Sequence, residues 1–417
     1  MNPVVIIPTY ISNSRRRGDA RQIVANYDHT TNIREEGELD RCLKSLANVE
    51  NLGLVMILVA ADSNIEEEAL RKVKQTAANN PHVTSIVIGA NEVELLRKRI
   101  TQLGHEEVAK KTILRGYSNI RNTGLLLTHA FGFDAAIFLD DDEIIEHQDF
   151  MEKSVYGLGK LTKAGVPILV KTGYYLNREG SHLSSWEDRW YNRFWQQGSA
   201  FNEWISQAIR GPRLTRSNHV CGGCLAIHKE AFSRICFDPY ITRGEDLDYM
   251  INLRMHGSDI WFDNQWVLRH LPPKTPSEGN RFRQDIYRWL YEQAKLEFSW
   301  SNIDLQKVNA SSLMPYPGPL LGKGLKHRIG ITARLRSLGR PDKKAYKAAA
   351  KAAKKDAVVY AEENCTKYFE FQRKWPEALS AINCDKVISH QVLTLAQDVP
   401  RANVSAGETT EIQMNLG

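Results

Sequence analysis

The sequence predicts an α/β protein with a mainly parallel central sheet flanked by helices and a helical C-terminal extension. Short apolar, β-branched segments alternate with segments of helical spacing through roughly the first third of the chain. This alternation is typical of parallel strands joined by crossover helices. Beyond residue 275 the pattern is helical, basic and rich in Ala and Lys. The two patterns together predict one α/β unit followed by helices.

The predicted strands are apolar runs that end at a proline or a polar residue. They lie at 3–10, 52–62, 82–89, 135–144, 166–176 and 259–273. The predicted helices have apolar residues at helical spacing. They lie at 38–49, 65–79, 91–111, 118–132 and 285–296. Residues 11–37 are polar, contain Arg15, Arg16 and Arg17, and are predicted to form a long surface loop.

Composition indicates an ordinary globular protein, with 42% hydrophobic and 25% charged residues. No apolar run is long enough to cross a membrane, and the start of the sequence lacks the pattern of a signal peptide. The six cysteines are too scattered for a disulfide framework. We therefore expect a reduced, cytoplasmic protein. Cys221 and Cys224 also permit a redox or zinc site, but no second pair of this spacing accompanies them.

Carboxylates follow the predicted strands at the points where those strands end. Asp62 ends the second strand, and Asp140, Asp141 and Asp142 follow the fourth apolar run. Ligands of such sheets bind beyond the carboxyl ends of the strands. Two carboxylates in the pattern Asp140-x-Asp142 suit Mg²⁺ or Mn²⁺, which prefer oxygen ligands. A solvated acidic turn explains the cluster equally simply, so this motif alone leaves both interpretations open.

The order of several motifs is more specific than any one of them. The sequence resembles the family 2 glycosyltransferases and their GT-A fold relatives over residues 3–272. The matching segments are Pro8-Thr9-Tyr10, Asp62, Arg121-Asn122-Thr123-Gly124, Phe138 to Asp142, Gly222-Gly223 and Gly244-Glu245-Asp246.

The resemblance implies a role for each matching residue. Those expected to bind the nucleotide-sugar are Pro8, Thr9, Tyr10, Asp62, Arg121, Asn122, Asp140 and Asp141. Those expected to bind Mn²⁺ or Mg²⁺ are Asp142, Asp140 and His270. Asp246, with Glu245 beside it as the less favoured choice, is expected to be the general base. The acceptor is expected near Gly222, Gly223, Trp190 and Trp195.

The resemblance implies a metal-dependent inverting glycosyltransferase with a nucleotide-diphospho-sugar donor, UDP being favoured over GDP. The acceptor is expected to be a saccharide, a lipid-linked molecule or a small molecule. One alternative is a retaining GT-A enzyme with a donor of the GDP-mannose type. Another is a non-catalytic basic adaptor for a membrane or a nucleic acid. The predicted divisions are a catalytic domain (1–275, with a donor half 1–142 and an acceptor half 143–275), a helical extension (276–400) and a disordered tail (401–417).

Two further segments remain open to more than one interpretation. The spacings of Trp186, Trp190 and Trp195 suit one helical face, which favours core packing over contact with a sugar. The segment 323–355 holds twelve Lys or Arg residues against one acid, Asp342, although the whole chain carries only +6. It fits an anionic membrane surface, a solvated helix face or, least well because no nucleic-acid module accompanies it, a nucleic acid.

Overall fold

A computed structural model describes residues 1–13, Tyr27, 30–273 and 277–397 of the chain. The predicted arginine cluster Arg15 to Arg17 and the tail 401–417 lie outside the described residues. Within the described part, the α/β architecture and the helical C-terminal region are confirmed.

One mixed sheet of ten strands forms the centre of the protein. In chain order these are β1 (Pro3–Ser12), β2 (Thr31–Asn32), β3 (Val55–Ala61), β4 (Ser85–Ile88), β5 (Ala135–Phe138), β6 (Glu143–Ile144), β7 (Val170–Leu176), β8 (Leu214–Arg216), β9 (Leu225–His228) and β10 (Trp261–His270).

The spatial order of the main path is β4-β3-β1-β5-β9-β7-β10-β6. The four strands from β4 to β5 are parallel, as predicted. The later half is mixed, because β9 runs antiparallel to both β5 and β7, whereas β10 is parallel to β7. β9 is not predicted from the sequence, since its four buried residues are too few to show an alternation of apolar and polar side chains.

Fourteen α-helices are formed by the described residues, besides short 3-10 helices. Those around the sheet are α1 (Leu39–Ser45), α2 (Glu66–Ala78), α3 (Ala90–Gln102), α4 (Glu106–Lys111), α5 (Tyr117–Ala130), α6 (Phe150–Val155), α7 (Gln197–Arg210), α8 (Lys229–Phe232) and α9 (Glu245–Met255). The C-terminal helices are α10 (Glu278–Ser299), α11 (Leu325–Gly339), α12 (Lys343–Ala352), α13 (Asp356–Ala381) and α14 (Lys386–Gln397).

Two predicted helices have different limits in the structure. The stretch 91–111 divides into α3 and α4 around Gly104, whose φ of +87° interrupts the helix. The helix predicted at 285–296 begins earlier, because the Ser277 side chain accepts a hydrogen bond from the Asn280 amide and caps α10.

The predicted single helical face of Trp186, Trp190 and Trp195 is wrong, because none of the three lies in an α-helix. Trp190 lies in a short 3-10 helix (Trp190–Asn192) and is 57% exposed, whereas Trp195 is buried against Phe282 of α10. The intervening residues 193–196 form no helix, so sequence spacing does not translate into a shared face.

The C-terminal helices share one hydrophobic core with the sheet. The indole of Trp375 donates to the Phe232 carbonyl at 2.7 Å, and Arg99 forms an ion pair with Asp385. A buried ionic cluster joins α10 to α9, in which the Lys295 ammonium contacts Asp238 at 2.7 Å and Asp248 at 2.5 Å. No helix among the described residues is long and apolar enough to span a membrane.

Candidate active site

The predicted site residues of the first and fourth predicted strands meet at the carboxyl ends of β1 and β5. The Thr9 hydroxyl donates to the Asp141 carboxylate at 2.5 Å. Pro8 is buried within β1, and Tyr10, two residues further on, is only partly exposed. Burial, followed by the charge of Asp142, raises the pKa of Asp141 well above its usual range. Ionisation of Asp141 is therefore costly here, and a bound cation would offset that cost.

Arg121 is the hub of the site. Its Nε donates to Glu245 at 2.9 Å, its Nη1 to the Gly222 carbonyl at 2.9 Å, and its Nη2 approaches Asp140 at 3.4 Å. The side chain is only 4% exposed, and its guanidinium lies 4.9 Å from the centre of the Phe138 ring. Burial opposes the charge of Arg121, but the nearby carboxylates outweigh it and raise the pKa. The Arg121 guanidinium, which belongs to α5, thereby contacts α9, the loop after β5 and the backbone at Gly222.

Asn122, next to Arg121, is buried and makes a different contact. Its amide donates to the Phe237 carbonyl at 2.8 Å and accepts from the Phe237 amide at 2.9 Å. Both ends of the Asn122 amide are therefore engaged with backbone, and this residue fixes the segment that leads to α9.

Asp142, in the loop after β5, lies beside His270, the last residue of β10. The His270 Nε2 lies 3.4 Å from the Asp142 Oδ1. Burial alone lowers the pKa of His270, but the hydrogen bond and charge of Asp142, with the charge of Asp140, raise it overall. Two ligands at right angles on one Mn²⁺ or Mg²⁺ are separated by roughly 3 Å, given bonds of about 2.1 Å. The pair therefore fits such an ion with little movement.

No group of three or more His, Cys, Asp or Glu side chains within the described ranges is already arranged to hold a metal. Magnesium usually takes one or two protein carboxylates and completes its shell with water and substrate phosphates. The pair Asp142 and His270 is consistent with that kind of partial protein shell.

The two acids at the start of α9 have different environments. Glu245 is buried and ion-paired with Arg121, and burial raises its pKa to about 6 against the opposing Arg121 charge. Asp246 is partly exposed and faces Gly222, since a Cβ on Gly222 would lie 3.3 Å from the Asp246 Oδ2. Asp246 is therefore the acid that an incoming molecule can reach, and Glu245 is the acid that holds Arg121.

The two glycines are explained by the protein's own side chains. A Cβ on Gly222 would lie 2.6 Å from the Arg121 Nη2, and a Cβ on Gly223 would lie 2.3 Å from both Glu143 carboxylate oxygens. From the sequence, these glycines are expected near an acceptor. In the structure, a side chain at either position would collide with Arg121 or Glu143, and this close packing accounts for glycine there.

Glu143 and Tyr175 belong to the site but were not identified from the sequence. Glu143 is fully buried, and its carboxylate accepts from the Asp140 amide at 2.8 Å. Burial, followed by the charges of Asp140 and Asp142, raises the pKa of Glu143 well above normal. The Tyr175 hydroxyl accepts from the Gly223 amide at 2.7 Å, and its ring lies 4.8 Å from that of His270. In the sequence, the feature that indicates Glu143 as a site residue is its position directly after the three aspartates.

Three tyrosines pack at the end of β1. The ring centres of Tyr10 and Tyr27 are 4.0 Å apart, and Tyr117 lies within 5.5 Å of both. Asp62 is exposed just after β3 and accepts from the Asn13 amide at 2.9 Å. Tyr10 and Asp62 thus lie at neighbouring strand ends, beside the carboxylates.

A second group of side chains surrounds Asp246. His219 makes ring contacts with Phe201, Trp204 and Tyr316 at centroid distances of 4.8, 5.6 and 5.7 Å. Burial lowers the pKa of His219 to about 4, against the charge of Asp246. Arg288 of α10 donates to the Gly244 carbonyl at 3.3 Å and is 7% exposed. Neither predicted acceptor-side tryptophan belongs to this group of ring contacts.

No protein-family model matches the chain, and a search of curated proteins finds no match. Solved structures similar to it include a mannosyltransferase from Pyrobaculum calidifontis in complex with GDP-Man and Mn²⁺, with 14% identity, TM-score 0.43, and 93% of this chain and 86% of that chain covered.

A second is GalNAc-T7 with UDP, GalNAc and Mn²⁺, with 13% identity, TM-score 0.39, and coverages of 81% and 57%. A third is glucosyl-3-phosphoglycerate synthase from Mycobacterium tuberculosis, with 14% identity, TM-score 0.35, and coverages of 70% and 78%. Likenesses this weak carry no argument, so the fold assignment rests on the sheet topology and the function on the site.

Proposed function

We propose that this protein is a metal-dependent glycosyltransferase that moves a sugar from a nucleotide-diphospho-sugar to a hydroxyl acceptor. One observation carries the proposal. Residues far apart in sequence meet at the carboxyl edge of the sheet, where Arg121 contacts both Asp140 and Glu245. His270 contacts Asp142 beside them, and the charges of this pair act on Asp140. Three of these residues are acids held close together, which is costly unless cations are their partners.

The donor would bind at this edge. Asp142 and His270 would hold Mn²⁺ or Mg²⁺, with Asp140 beside them. The bound ion would neutralise the diphosphate and stabilise it as a leaving group. Thr9 and Asp62 would contact the nucleoside. Arg121 would hold the Asp140 carboxylate in position through its Nη2. The chain's own contribution on this side is orientation, because Arg121 contacts the Asp140 carboxylate and Glu143 accepts from the Asp140 amide.

Asp246 would act as the general base. Its carboxylate would take the proton of the acceptor hydroxyl while that oxygen forms a bond to the anomeric carbon and the bond to the diphosphate breaks. Such a base must come within about 3 Å of the attacking oxygen. Partial exposure and the glycine beside it leave Asp246 reachable, whereas Glu245 is committed to Arg121. One displacement of this kind inverts the anomeric carbon.

We further propose a UDP-sugar donor, a saccharide, lipid-linked or small-molecule acceptor, and a cytoplasmic location. The location is supported by the six cysteines, all of which are free. We assign catalysis to residues 1–275, with the donor half ending at 142, and a supporting role to 276–400. The retaining alternative differs in its product, so the anomeric configuration of the glycoside distinguishes the two.

The test is calorimetric titration of UDP and GDP with Mn²⁺ or with EDTA. We expect one nucleotide to bind only with metal, and Asp142→Ala to abolish this binding. Asp188→Ala, at an exposed position, is the matched control and should bind as wild type does. Absence of binding by either nucleotide to folded wild-type protein would contradict the proposal and favour a non-catalytic adaptor.

Asp246→Asn tests the base separately. Removing the base should lower transfer at least 100-fold, in line with the usual contribution of general bases, while nucleotide affinity stays unchanged. If Asp246→Asn transferred sugar at the wild-type rate, the assignment of the base would be wrong even though the donor site stood.

A further inference from the structure

The helix α12 carries an exposed lysine face. The exposed lysines of α12 and of the turn that follows it are Lys343, Lys344, Lys347, Lys351, Lys354 and Lys355. At 3.6 residues per turn, the four within the helix fall in a sector of about 100°. The opposite side packs into the core through Tyr346, Ala349 and Ala350. The lysine face is therefore held rigidly toward solvent.

Two exposed acids, Asp342 and Asp356, flank the lysine face in sequence, but the six lysines outnumber them. Within the described part of the chain, no ion pair joins any of the six lysines to an acid. Like charges at such spacing repel one another. A concentrated face of one sign is therefore complementary to a surface of the opposite sign.

Apolar side chains are exposed at the end of α11 and in and just after the 3-10 helix Trp190–Asn192, which contacts that end. Leu338 is 71% exposed, Trp190 57% and Phe194 39%. Trp190 packs onto the end of α11, because a Cβ on Gly339 would lie 2.7 Å from its Cζ2. Only three residues separate Gly339 from Lys343. An aromatic and aliphatic tip thus adjoins the lysine face.

We infer that the lysine face of α12, with the apolar tip of Trp190, Phe194 and Leu338, docks on an anionic lipid bilayer. Lysines attract acidic headgroups, and Trp side chains favour the boundary between headgroups and acyl chains. An exposed leucine favours lipid over nucleic acid, since bases stack on rings and gain little from an aliphatic side chain. This assigns Trp190 to the membrane rather than to an acceptor, and it does not depend on the proposed transferase activity.

The experiment is co-sedimentation of the full chain with phosphatidylcholine vesicles, with and without phosphatidylglycerol. Wild type should bind only the anionic vesicles, and added salt should weaken binding. Each lysine near the surface contributes about fivefold to the partition coefficient. The variant Lys343→Gln/Lys344→Gln/Lys347→Gln/Lys351→Gln should therefore lose roughly 100-fold or more.

A matched variant removes the same charge elsewhere, at four other exposed lysines: Lys160, Lys163, Lys307 and Lys374. It should bind vesicles within twofold to threefold of wild type. Trp190→Ala should weaken binding several-fold and should remove quenching of tryptophan fluorescence by brominated lipid. Circular dichroism confirms that each variant is folded.

Three outcomes would overturn the inference. One is no binding of wild type to anionic vesicles at low salt. Another is an equal loss in the α12 variant and the matched variant, which would indicate a net-charge effect only. The third is tight binding to a single-stranded oligonucleotide without binding to vesicles, which would make the face a nucleic-acid surface.

Discussion

Replacing Arg121 by methionine should destabilise the protein by about 3–5 kcal/mol at pH 7. Methionine retains much of the aliphatic volume over Phe138 but removes the charge and the three donors. The change leaves the Glu245 carboxylate and the Gly222 carbonyl without their 2.9 Å partners. Glu245 and Gly222 are both buried, so water cannot replace the lost hydrogen bonds without a cost in free energy.

The magnitude follows from the protonation of Glu245. Without Arg121, the cheapest arrangement is a protonated Glu245, whose ordinary pKa is 4.5. Protonating such a group at pH 7 costs about 3 kcal/mol, at roughly 1.4 kcal/mol per pH unit. The orphaned Gly222 carbonyl adds about 1 kcal/mol. At pH 5 the protonation cost falls to below about 1 kcal/mol.

The assay is urea unfolding followed by tryptophan fluorescence, at pH 7 and pH 5, with EDTA present. We expect the penalty of Arg121→Met to shrink by about 1–1.5 kcal/mol between the two pH values. The change is smaller than the full protonation cost because Glu245 of the wild type, with a pKa of about 6, is itself mostly protonated at pH 5. Glu245→Gln supplies the matched background. In that background Arg121→Met should cost less than in wild type by about 0.5–3 kcal/mol, the usual coupling of contacting residues.

Two results would refute the reasoning. A penalty under about 1 kcal/mol at pH 7 would mean that the pair is solvated or replaceable. A penalty that is identical at both pH values and unaffected by Glu245→Gln would mean that Arg121 acts through packing alone.

Three further changes test other parts of the structure. Lys295→Met should cost about 3–5 kcal/mol, because it leaves two buried aspartates without their cation; urea unfolding measures it. His219→Gln should remove a pH dependence: a folded pKa of about 4, below the ordinary 6.5, makes wild-type stability fall as pH drops from 6.5 toward 4. The loss is at most about 3 kcal/mol and is less for a partly exposed ring. Gly223→Ala should cost about 1–3 kcal/mol, since its Cβ meets the Glu143 carboxylate.

Each of these has a result that contradicts it. Unchanged stability of Lys295→Met would mean that water reaches the cluster. For His219, the exposed His147 is the control: the expectation fails if His147→Gln alters the slope of stability against pH as much as His219→Gln. For Gly223, wild-type stability in the alanine variant would mean that Glu143 moves freely.

Sequence patterns predicted the parallel half of the sheet because its strands are long enough, and apolar enough, to be recognised alone. β1 and β3 have ten and seven residues, and nearly all are buried. β9 was missed because four buried residues carry no period, and its position between β5 and β7 depends on pairing across distant parts of the chain.

At the site, sequence order indicated which residues to consider but not how they contact one another. Arg121 was expected in the donor pocket, yet its links to Gly222 and Glu245 come from chain segments 101 and 124 residues away. Glu143 directly follows the aspartates, but a fourth acid in a run is normally expected to be solvated. Only the structure shows that it is buried. Side-chain partners of this kind are decided by tertiary packing.

The insertion of β9 has a consequence for how the protein is made. The β4-β3-β1-β5 block is complete once residue 138 has left the ribosome, whereas β9 is complete only at residue 228. Until then β5 and β7 each expose an unpaired edge, the kind of surface on which chains pair wrongly with one another. We expect the nascent chain to be most prone to such mispairing while the segment between β7 and β9 is synthesised. The residues that lead into β9 also include Gly222, whose carbonyl accepts a hydrogen bond from Arg121.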